Sequence, residues 1–276
     1  MVVLIVLALI YGCLQLTLVA VAFNWSGTLK RPLLWIALLI GAQAGWALWL
    51  NESPTVCGWM PVKYGIVVCN LIPGMIAATL AVLIASRSRN RLRTVVYVGL
   101  LLGVDAFFWG PAVYNPIRCG NSWAGACCLQ TTDCTCMPAA AATLLKLRGV
   151  ASSEDELKRL CLTTAHGTTL WGVYHGLREK ADSAGKSVTV KRMPFDDFLR
   201  EGRPALVLVM LSPKLDAQDA RFSNRWGWRV NVAHAVVFLG ALPGGKVCIA
   251  DPRSGLETWD AEGLRALWRE TAIYLD

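Results

Sequence analysis

Residues 130–145 contain a clear helix start, and that start fixes the position of one cysteine. Pro138 suits the first turn of a helix, because its φ angle is already helical and its missing N–H would have no partner there. The alanines and leucines that follow it favour helix. We therefore predict a helix over 138–148, ended by Gly149, with Cys136 at or just before its N-terminus.

A cysteine in this position is suited to nucleophilic chemistry. The helix dipole and the free N–H groups of the first turn favour the thiolate, which is the form that attacks carbonyl groups. Gln130 lies six residues earlier and can reach back with its side-chain amide. With the backbone N–H of Cys136 it would form a two-donor oxyanion hole. The alternative is a cysteine-rich loop that leads into a buried helix.

A thiol nucleophile needs a base, and the strand pattern offers His234. Residues 233–242 and 246–250 are apolar and rich in β-branched side chains, and the Pro-Gly-Gly segment between them predicts a hairpin. Adjacent antiparallel strands joined in this way can bring Asp251, just past the second strand, beside His234. Asp251 would then hold one ring nitrogen of His234 and turn the other towards Cys136.

Other assignments of these polar residues stay open. His166 follows a helix in a Thr/Gly loop and His175 lies within a predicted helix, and neither has an acid so plainly placed to orient it. For His234 and Asp251 the structural alternatives are a strand-end histidine without catalytic work and a turn-capping aspartate before proline.

The segment 127–276 as a whole predicts an α+β domain, with helices first and strands after. The further helices are predicted at 153–162, 168–181, 194–201 and 260–270, and the further strands at 187–192 and 205–211. Papain-like cysteine enzymes share this arrangement, with the nucleophile on the leading helix and the base on the sheet.

These motifs resemble the bacteriocin-processing cysteine peptidases, which cut peptides after a double-glycine leader. The likeness covers 127–276 and is carried by Gln130, Cys136 with Ala140, His234-Ala-Val-Val and Asp251-Pro252. It implies an oxyanion donor (Gln130), a nucleophile (Cys136), a general base and acid (His234) and an orienting carboxylate (Asp251). It implies no cofactor and no metal. Met137 departs from the family, which usually has glycine after the nucleophile.

Four apolar runs precede this domain, at 2–23, 33–50, 64–86 and 95–114. Each approaches the roughly 20 residues that a membrane-spanning helix needs. Hydrophobic residues make up 55% of the chain and the mean hydropathy is +0.45, which is typical of a protein with membrane spans. The sequence therefore predicts an α-helical transmembrane bundle of four spans (1–115), a linker (116–126) and an α+β papain-like cysteine peptidase domain (127–276).

The basic residues between the runs predict an orientation. Lys30 and Arg31 separate the first two runs, four arginines separate the last two, and the loop between them contains only Lys63. Because positive loops stay in the cytoplasm, we expect a multi-pass protein of the cell (inner) membrane with an extracytoplasmic C-terminal domain. The lipid bilayer and other membrane export or processing components are then expected partners. The alternative is that the long C-terminal domain follows other signals.

The net charge of +8 does not indicate nucleic-acid binding. The first 116 residues carry +5 of it and the rest only +3, so the globular part shows no basic stripe. Asp105 lies inside the fourth apolar run, where an acid is costly and is a functional candidate. It could instead pair with Asn70 or another helix.

The chain has ten cysteines, and an extracytoplasmic domain would allow disulfide bonds. The candidates for bridges are Cys57, Cys119, Cys127, Cys128, Cys134 and Cys161. A zinc site at Cys127, Cys128, Cys134 and Cys136 is an alternative, although the spacing lacks paired C-x₂-C knuckles. A thiol–disulfide role for Cys134-Thr-Cys136 is another.

The sequence thus predicts a membrane-bound cysteine endopeptidase that cleaves a peptide or protein precursor by Cys-His-Asp catalysis. The rival hypothesis is a catalytically silent peptidase-like domain that binds a peptide substrate or partner for export or maturation. The segment 221–231 contains Trp226 and Trp228, which could bind a peptide, face a membrane or pack as an ordinary loop.

Overall fold

The computed structural model describes residues 118–165 and 167–276, and before them positions 37, 38, 41, 42, 53, 54, 57, 79, 99 and 103. The chain divides into two compact units, Met1–Val56 with Met60–Tyr114 and Cys57–Trp59 with Asn115–Asp276. Most of the described residues belong to the second unit. The domain limits derived from the sequence stay a prediction.

After an initial hairpin, the second unit has three helices in succession and then strands with short helices between some of them. In chain order its elements are β1 (Ser122–Ala124), β2 (Cys127–Leu129), α1 (Cys136–Leu147), α2 (Glu154–Leu160), α3 (Leu170–Asp182), β3 (Val188–Arg192), α4 (Phe195–Glu201), β4 (Ala205–Met210), α5 (Pro213–Gln218), a π-helical turn (Arg221–Arg225), β5 (Ala233–Leu242), β6 (Lys246–Asp251), β7 (Gly255–Asp260), α6 (Ala261–Leu267) and β8 (Trp268–Leu275).

The main sheet has six antiparallel strands in the order β3-β8-β4-β5-β6-β7, while β1 and β2 pair separately. Strand β4 lies inside the sheet, and its first five residues are all buried. Gly244 and Gly245 in the turn between β5 and β6 both have positive φ angles, which glycine adopts without steric cost. This hairpin sets the relative position of His234 and Asp251.

Aromatic and aliphatic side chains cover the sheet on both faces. Val207, Val209 and Phe238 belong to one buried cluster, in which Phe198 of α4 packs edge-to-face on Phe238 with ring centroids 4.9 Å apart. The alternate residues of β4, such as Leu206 and Leu208, are also buried, although they point the other way. A strand that is buried on both faces has a continuous apolar sequence, and β4 has one.

Helix α1 runs through the interior and packs against β4, β5 and β6. Its alanines from Ala139 to Ala142 are fully buried, and small side chains let the helix approach the sheet closely. Cys136 is its first residue, so the helix begins two residues earlier than predicted and Pro138 still lies in the first turn. Gly149 follows the last turn with a φ of 74°, as predicted.

Helices α2 and α3 approach closely at two glycines. A Cβ atom on Gly172 would lie 2.3 Å from the carbonyl oxygen of Cys161, and one on Gly176 would lie 2.3 Å from the sulfur of the same residue. The sulfur belongs to a side chain that can move, whereas the carbonyl oxygen is backbone. The contact at Gly172 is therefore the stricter of the two.

We expect Gly172→Ala to lower the free energy of unfolding by about 1–3 kcal/mol, because the added methyl group overpacks this contact. Equilibrium denaturation of the full chain measures it. Gly263→Ala is the matched control, since Gly263 lies in α6 with no atom within 4 Å of an added Cβ. That variant should be unchanged or more stable by up to about 1 kcal/mol. Equal losses in both variants would contradict the packing at Gly172.

The helices and strands predicted between residues 153 and 250 are present with small shifts at their ends. Six observed elements were missed in part or whole. Strand β1 lies in the predicted linker and β2 directly after it, α5 and the π-helical turn follow β4, and residues 255–260 form β7. The predicted closing helix at 260–270 ends at Leu267 and gives way to β8. The α+β plan itself is present in the described part of the chain.

The prediction of a four-span transmembrane bundle is wrong. Within the part of the chain that the structure describes, no helix combines the length and the apolar character that crossing a bilayer requires. This finding contradicts the predicted fold class and the multi-pass, extracytoplasmic location. An apolar run in the sequence satisfies only the requirement for hydropathy. A membrane span must also form a continuous helix of about 20 residues. The four runs, with Asp105 and Asn70, lie largely or wholly outside the described residues.

The predicted disulfide bonds are absent from residues 118–165 and 167–276, whose seven cysteines are free. Cys127, Cys128 and Cys161 are buried thiols. Burial raises the pKa of the Cys127 thiol to about 12, an effect that the charge of Asp251 increases. These cysteines behave as small core side chains rather than as halves of bridges.

Candidate active site

Cys136, His234 and Asp251 converge at the start of α1. The Nε2 atom of His234 lies 2.8 Å from Oδ1 of Asp251. His234 lines the same narrow cleft as Cys136 and lies close enough to lower the pKa of its thiol. Because Nε2 faces the carboxylate, Nδ1 is the ring nitrogen left for the thiol. Three side chains from α1, β5 and β6 thus form a continuous thiol–imidazole–carboxylate chain.

Sheet register explains how His234 and Asp251 meet. Val237 pairs with Ala250, so one further step sets Asp251 opposite Val236, two residues from His234 on the same face. Such diagonal neighbours lie within reach of a long side chain. The geometry agrees with the hairpin argument made from the sequence.

Asp251 is fully buried, and each of its oxygens has a donor. Oδ1 accepts from the backbone N–H of Arg253 at 2.9 Å in addition to facing His234, and Oδ2 accepts from the indole N–H of Trp228 at 3.0 Å. The rings of Trp228 and His234 lie 4.4 Å apart. Trp228 therefore holds the carboxylate and covers the imidazole, a role that the sequence analysis did not assign to it.

The two tryptophans of the 221–231 segment are packed in the interior, with 7% and 6% of Trp226 and Trp228 exposed. Trp226 stacks on Trp259 at a centroid distance of 5.8 Å. Of the alternatives considered for these residues, the packed loop is the one observed. The aromatic-rich spacing before His234 was the sequence signal for a residue that contacts it.

The environment of Cys136 favours its thiolate. Burial alone would raise the pKa of this thiol, but the hydrogen bond and charge of His234, together with backbone hydrogen bonds from Ala235 and Met137, bring the pKa below its usual 9.0. The Met137 contact belongs to the first turn of α1, as expected for a cysteine at a helix start.

His234 responds in the opposite direction. Burial acts to lower its pKa, but the charge and hydrogen bond of Asp251, with smaller contributions from Cys136, raise the pKa to about 10. The lowered pKa of Cys136 and the raised pKa of His234 both favour a thiolate beside an imidazolium.

Gln130 lies in the same cleft as Cys136 and His234. Its backbone N–H donates to the carbonyl of Pro252 at 2.8 Å, which ties it to the loop after Asp251. Its side-chain Nε2 donates to the carbonyl of Thr132 at 2.8 Å, and its Oε1 is buried with no partner among the described residues. The second hydrogen of Nε2 has no acceptor among the described residues.

A buried carboxylate fixes the residue after Gln130. Glu154, the first residue of α2, is fully buried and accepts from the backbone N–H of Thr131 at 2.7 Å and from its hydroxyl at 2.5 Å. The same hydroxyl accepts from the backbone N–H of Gly120 at 2.7 Å. Hydrogen bonds from Thr131 to Glu154 and from Gly120 to Thr131 therefore hold the segment that contains Gln130 in place.

Asp133 connects the three segments that supply the thiol, the imidazole and the carboxylate. It lies three residues before Cys136 and pairs with Arg229, which precedes β5, at 2.5 Å and with Arg253, which follows β6, at 2.6 Å. The hydrogen bond from Arg253 contributes most to holding the pKa of Asp133 below its usual value. Nothing in the local sequence marks this cluster, because its members lie up to 120 residues apart.

The cleft beside Cys136 is narrow. It has a volume of about 30 Å³, room for one or two water molecules, and is lined by Gln130, His234 and the Asp133 cluster among others. A second, wider pocket adjoins it at Gly227 and Arg253, which line both.

The other candidate residues are elsewhere or undescribed. His166 lies outside the described residues. His175 is buried in α3 against Tyr174, and burial lowers its pKa.

Within the described part of the chain, no three His, Cys, Asp or Glu side chains are grouped to hold a metal ion. Cys134, two residues from Cys136, is partly exposed with its sulfur 3.1 Å from the hydroxyl of Thr132.

The pKa shifts of the pair give a pH prediction. Activity that needs the Cys136 thiolate and the His234 imidazolium should fall as pH drops through the lowered pKa of Cys136, because the thiol is then protonated. It should also fall as pH rises through about 10, because His234 then loses its proton. The pH profile of kcat/KM measures both limbs. An upper limb near 6.5, the ordinary value for histidine, would contradict the Asp251 pairing.

No family model matches the chain. An uncharacterised protein of Methanothermobacter marburgensis is 38% identical over 90 residues, which make up 30% of this chain and 61% of that protein. The chain therefore aligns with less than two thirds of that relative's length.

Among solved structures, the peptidase domain of Streptococcus ComA, a bi-functional ABC transporter, is similar with a TM-score of 0.41 and 22% identity, over 53% of this chain and 94% of that one. A double glycine motif protease from an AMS/PCAT transporter, in complex with its leader peptide, has a TM-score of 0.40 and 16% identity, over 53% and 87%. The peptidase domain of Streptococcus mutans ComA has a TM-score of 0.35 and 20% identity, over 54% and 96%.

Proposed function

We propose that the second unit is a cysteine peptidase that hydrolyses a peptide or protein precursor. The observation that carries this proposal is the Cys136–His234–Asp251 chain, with the sulfur at a helix start and Nε2 of His234 2.8 Å from a buried carboxylate. A histidine that only packs in the core would not need Asp251 at one ring nitrogen and the Cys136 thiolate at the other.

The proposed reaction proceeds in two steps. The Cys136 thiolate attacks the peptide carbonyl, while the backbone N–H of Cys136 and Nε2 of Gln130 stabilise the oxyanion. The C–N bond breaks as the His234 imidazolium gives its proton to the leaving amine. His234 then takes a proton from water as the water oxygen attacks the thioester. The C–S bond breaks, the acid product leaves, and the Cys136 thiolate is restored beside the His234 imidazolium.

The narrow cleft supports a substrate with small residues at the cleaved bond. A volume of about 30 Å³ beside Cys136 leaves little space for a side chain. Glycine before the scissile bond fits this cleft best. This agrees with the double-glycine preference that the sequence resemblance implies.

The test is hydrolysis of a quenched fluorescent peptide with Gly-Gly before the scissile bond by the full chain. We expect cleavage after the second glycine, and at least a tenfold lower kcat/KM when that glycine is replaced by leucine, because overpacking costs more than about 1.4 kcal/mol. Equal cleavage of both peptides would remove the small-residue preference. Absence of cleavage, with peptide binding intact, would favour a silent binding domain.

A further inference from the structure

The wider pocket next to the active-site cleft has the character of a binding subsite. Its volume is about 530 Å³, and its lining includes Asn224, Arg225, Ser254 and Glu257. It shares Gly227 and Arg253 with the cleft around Cys136. A peptide held at Cys136 in an extended form would therefore continue into it.

Arg253 forms the boundary between the two spaces, and Gly227 makes room for it. A Cβ atom on Gly227 would lie 2.9 Å from Nη2 and 3.2 Å from Nε of Arg253. The Nη1 atom of Arg253 is engaged with Asp133. Nη2 and Nε of Arg253 therefore lie on the side of the guanidinium that faces Gly227, and Arg253 lines both spaces.

Two further groups in the pocket lack partners. Arg225 is exposed and has no carboxylate partner among the described residues, unlike Arg229 and Arg253, which share Asp133. The hydroxyl oxygen of Ser254 is buried, and it too has no hydrogen-bond partner in the described part of the chain. A ligand with acceptor oxygens would satisfy both.

The charge of the joined spaces favours an anion. Arginines 225, 229 and 253 outnumber the carboxylates of Asp133 and Glu257, and Asp133 is already neutralised by two of them. A carboxylate matches the planar donor fork of arginine, and such pairs are stronger than neutral hydrogen bonds. A basic side chain would instead meet Arg225 and Arg253.

We propose that this pocket is a substrate subsite that binds an acidic side chain of the peptide through Arg225 and Arg253. This inference rests on the proposed function, since it assigns the specificity of the same site. The acidic residue lies close to the scissile bond, on the side of it that faces Gly227.

Peptide binding to the full chain with Cys136→Ala tests the subsite without cleavage. The probes are labelled Gly-Gly peptides that carry Asp, Asn or Lys at each position near the scissile bond, followed by fluorescence anisotropy. At one position the Asp peptide should bind roughly three- to tenfold more tightly than the Asn peptide, and the Lys peptide most weakly.

Adding Arg225→Ala should remove the difference between Asp and Asn. Glu257→Gln should enlarge it, because the competing carboxylate is gone. The matched control is Arg269→Ala, an exposed arginine of β8, which should leave the preference as it was.

Three results would overturn the subsite: equal binding of Asp and Asn peptides at every position, a preference that survives Arg225→Ala, or no peptide binding. Cleavage by the unaltered chain without an acidic preference would leave the peptidase standing and remove only the subsite. An acidic preference in binding without cleavage would support the subsite and remove the peptidase.

Discussion

Replacing Cys136 by alanine should abolish peptide hydrolysis, with kcat reduced by about 10⁵- to 10⁶-fold. The sulfur is the nucleophile in the proposed reaction, and the oxyanion donors left behind cannot replace it. Folding should be retained, because Cys136 is partly exposed at the start of α1 and alanine favours helix. The measurement is kcat on the Gly-Gly peptide, with a thermal melt of each variant.

Cys134→Ala is the matched control for this loss. Cys134 lies two residues away and is also a free thiol. Among the described residues, its sulfur has one hydrogen-bond partner, the hydroxyl of Thr132. It should retain activity within about tenfold, since removing a neutral hydrogen bond costs about 0.5–1.5 kcal/mol. If both variants lost activity equally, a thiol–disulfide role for the Cys-Thr-Cys segment would replace the peptidase.

Asp251→Asn should lower kcat by about 10³- to 10⁴-fold, a loss of the size seen when a triad carboxylate becomes an amide. The groups that face Asp251 are donors: the backbone N–H of Arg253, the indole N–H of Trp228 and, in the reactive state, His234. An amide would turn its NH₂ towards one of them. If that partner is His234, the ring takes the wrong tautomer. In either case the imidazolium loses its counter-charge.

The pH profile separates this effect from a folding defect. Asp251 is the main group that raises the pKa of His234 to about 10, so the upper limb of activity should move towards lower pH in Asp251→Asn. A merely destabilised protein would lose active fraction without moving the limb. A kcat within tenfold of the unaltered chain, with the limb unmoved, would contradict the role of Asp251 as the orienting carboxylate.

Local sequence signals were enough to predict the helix and the hairpin that carry the candidate site residues. A proline and an alanine run after Cys136 set the helix start, and a Pro-Gly-Gly turn set the hairpin that carries His234 and Asp251. Both rules act within a few residues. The catalytic roles themselves stay a prediction until the variants are measured.

Contacts between distant segments were beyond the reach of local patterns. Trp228 donates to Asp251 across 23 residues, and Asp133 pairs with Arg253 across 120. The first three residues of β8 were taken for the end of a helix, because Ala261–Leu267 before them is helical. No element was predicted from Thr271 to Leu275, although these residues are buried and rich in strand formers. Only the sheet partners β3 and β4 decide that segment.

The wrong predictions came from composition. High hydropathy and loop charge suggested a four-span bundle and an oxidising compartment, and the disulfide bonds followed from that location. The described residues contain no helix that is long and apolar enough to cross a membrane, and the seven cysteines described from residue 118 onward are free. Cysteine is also one of the most frequently buried residues, which accounts for thiols such as Cys161 in the α2–α3 contact.

The most direct test of the central claim is to map where a peptide electrophile reacts. The full chain is incubated with a glycine-ended peptide vinyl sulfone, and the modified residue is located by mass spectrometry. We expect one main adduct, on Cys136, formed more slowly in Asp251→Asn and absent in Cys136→Ala. A main adduct on Cys134 or Cys248, or labelling of Cys136→Ala as strong as that of the unaltered chain, would contradict the assignment.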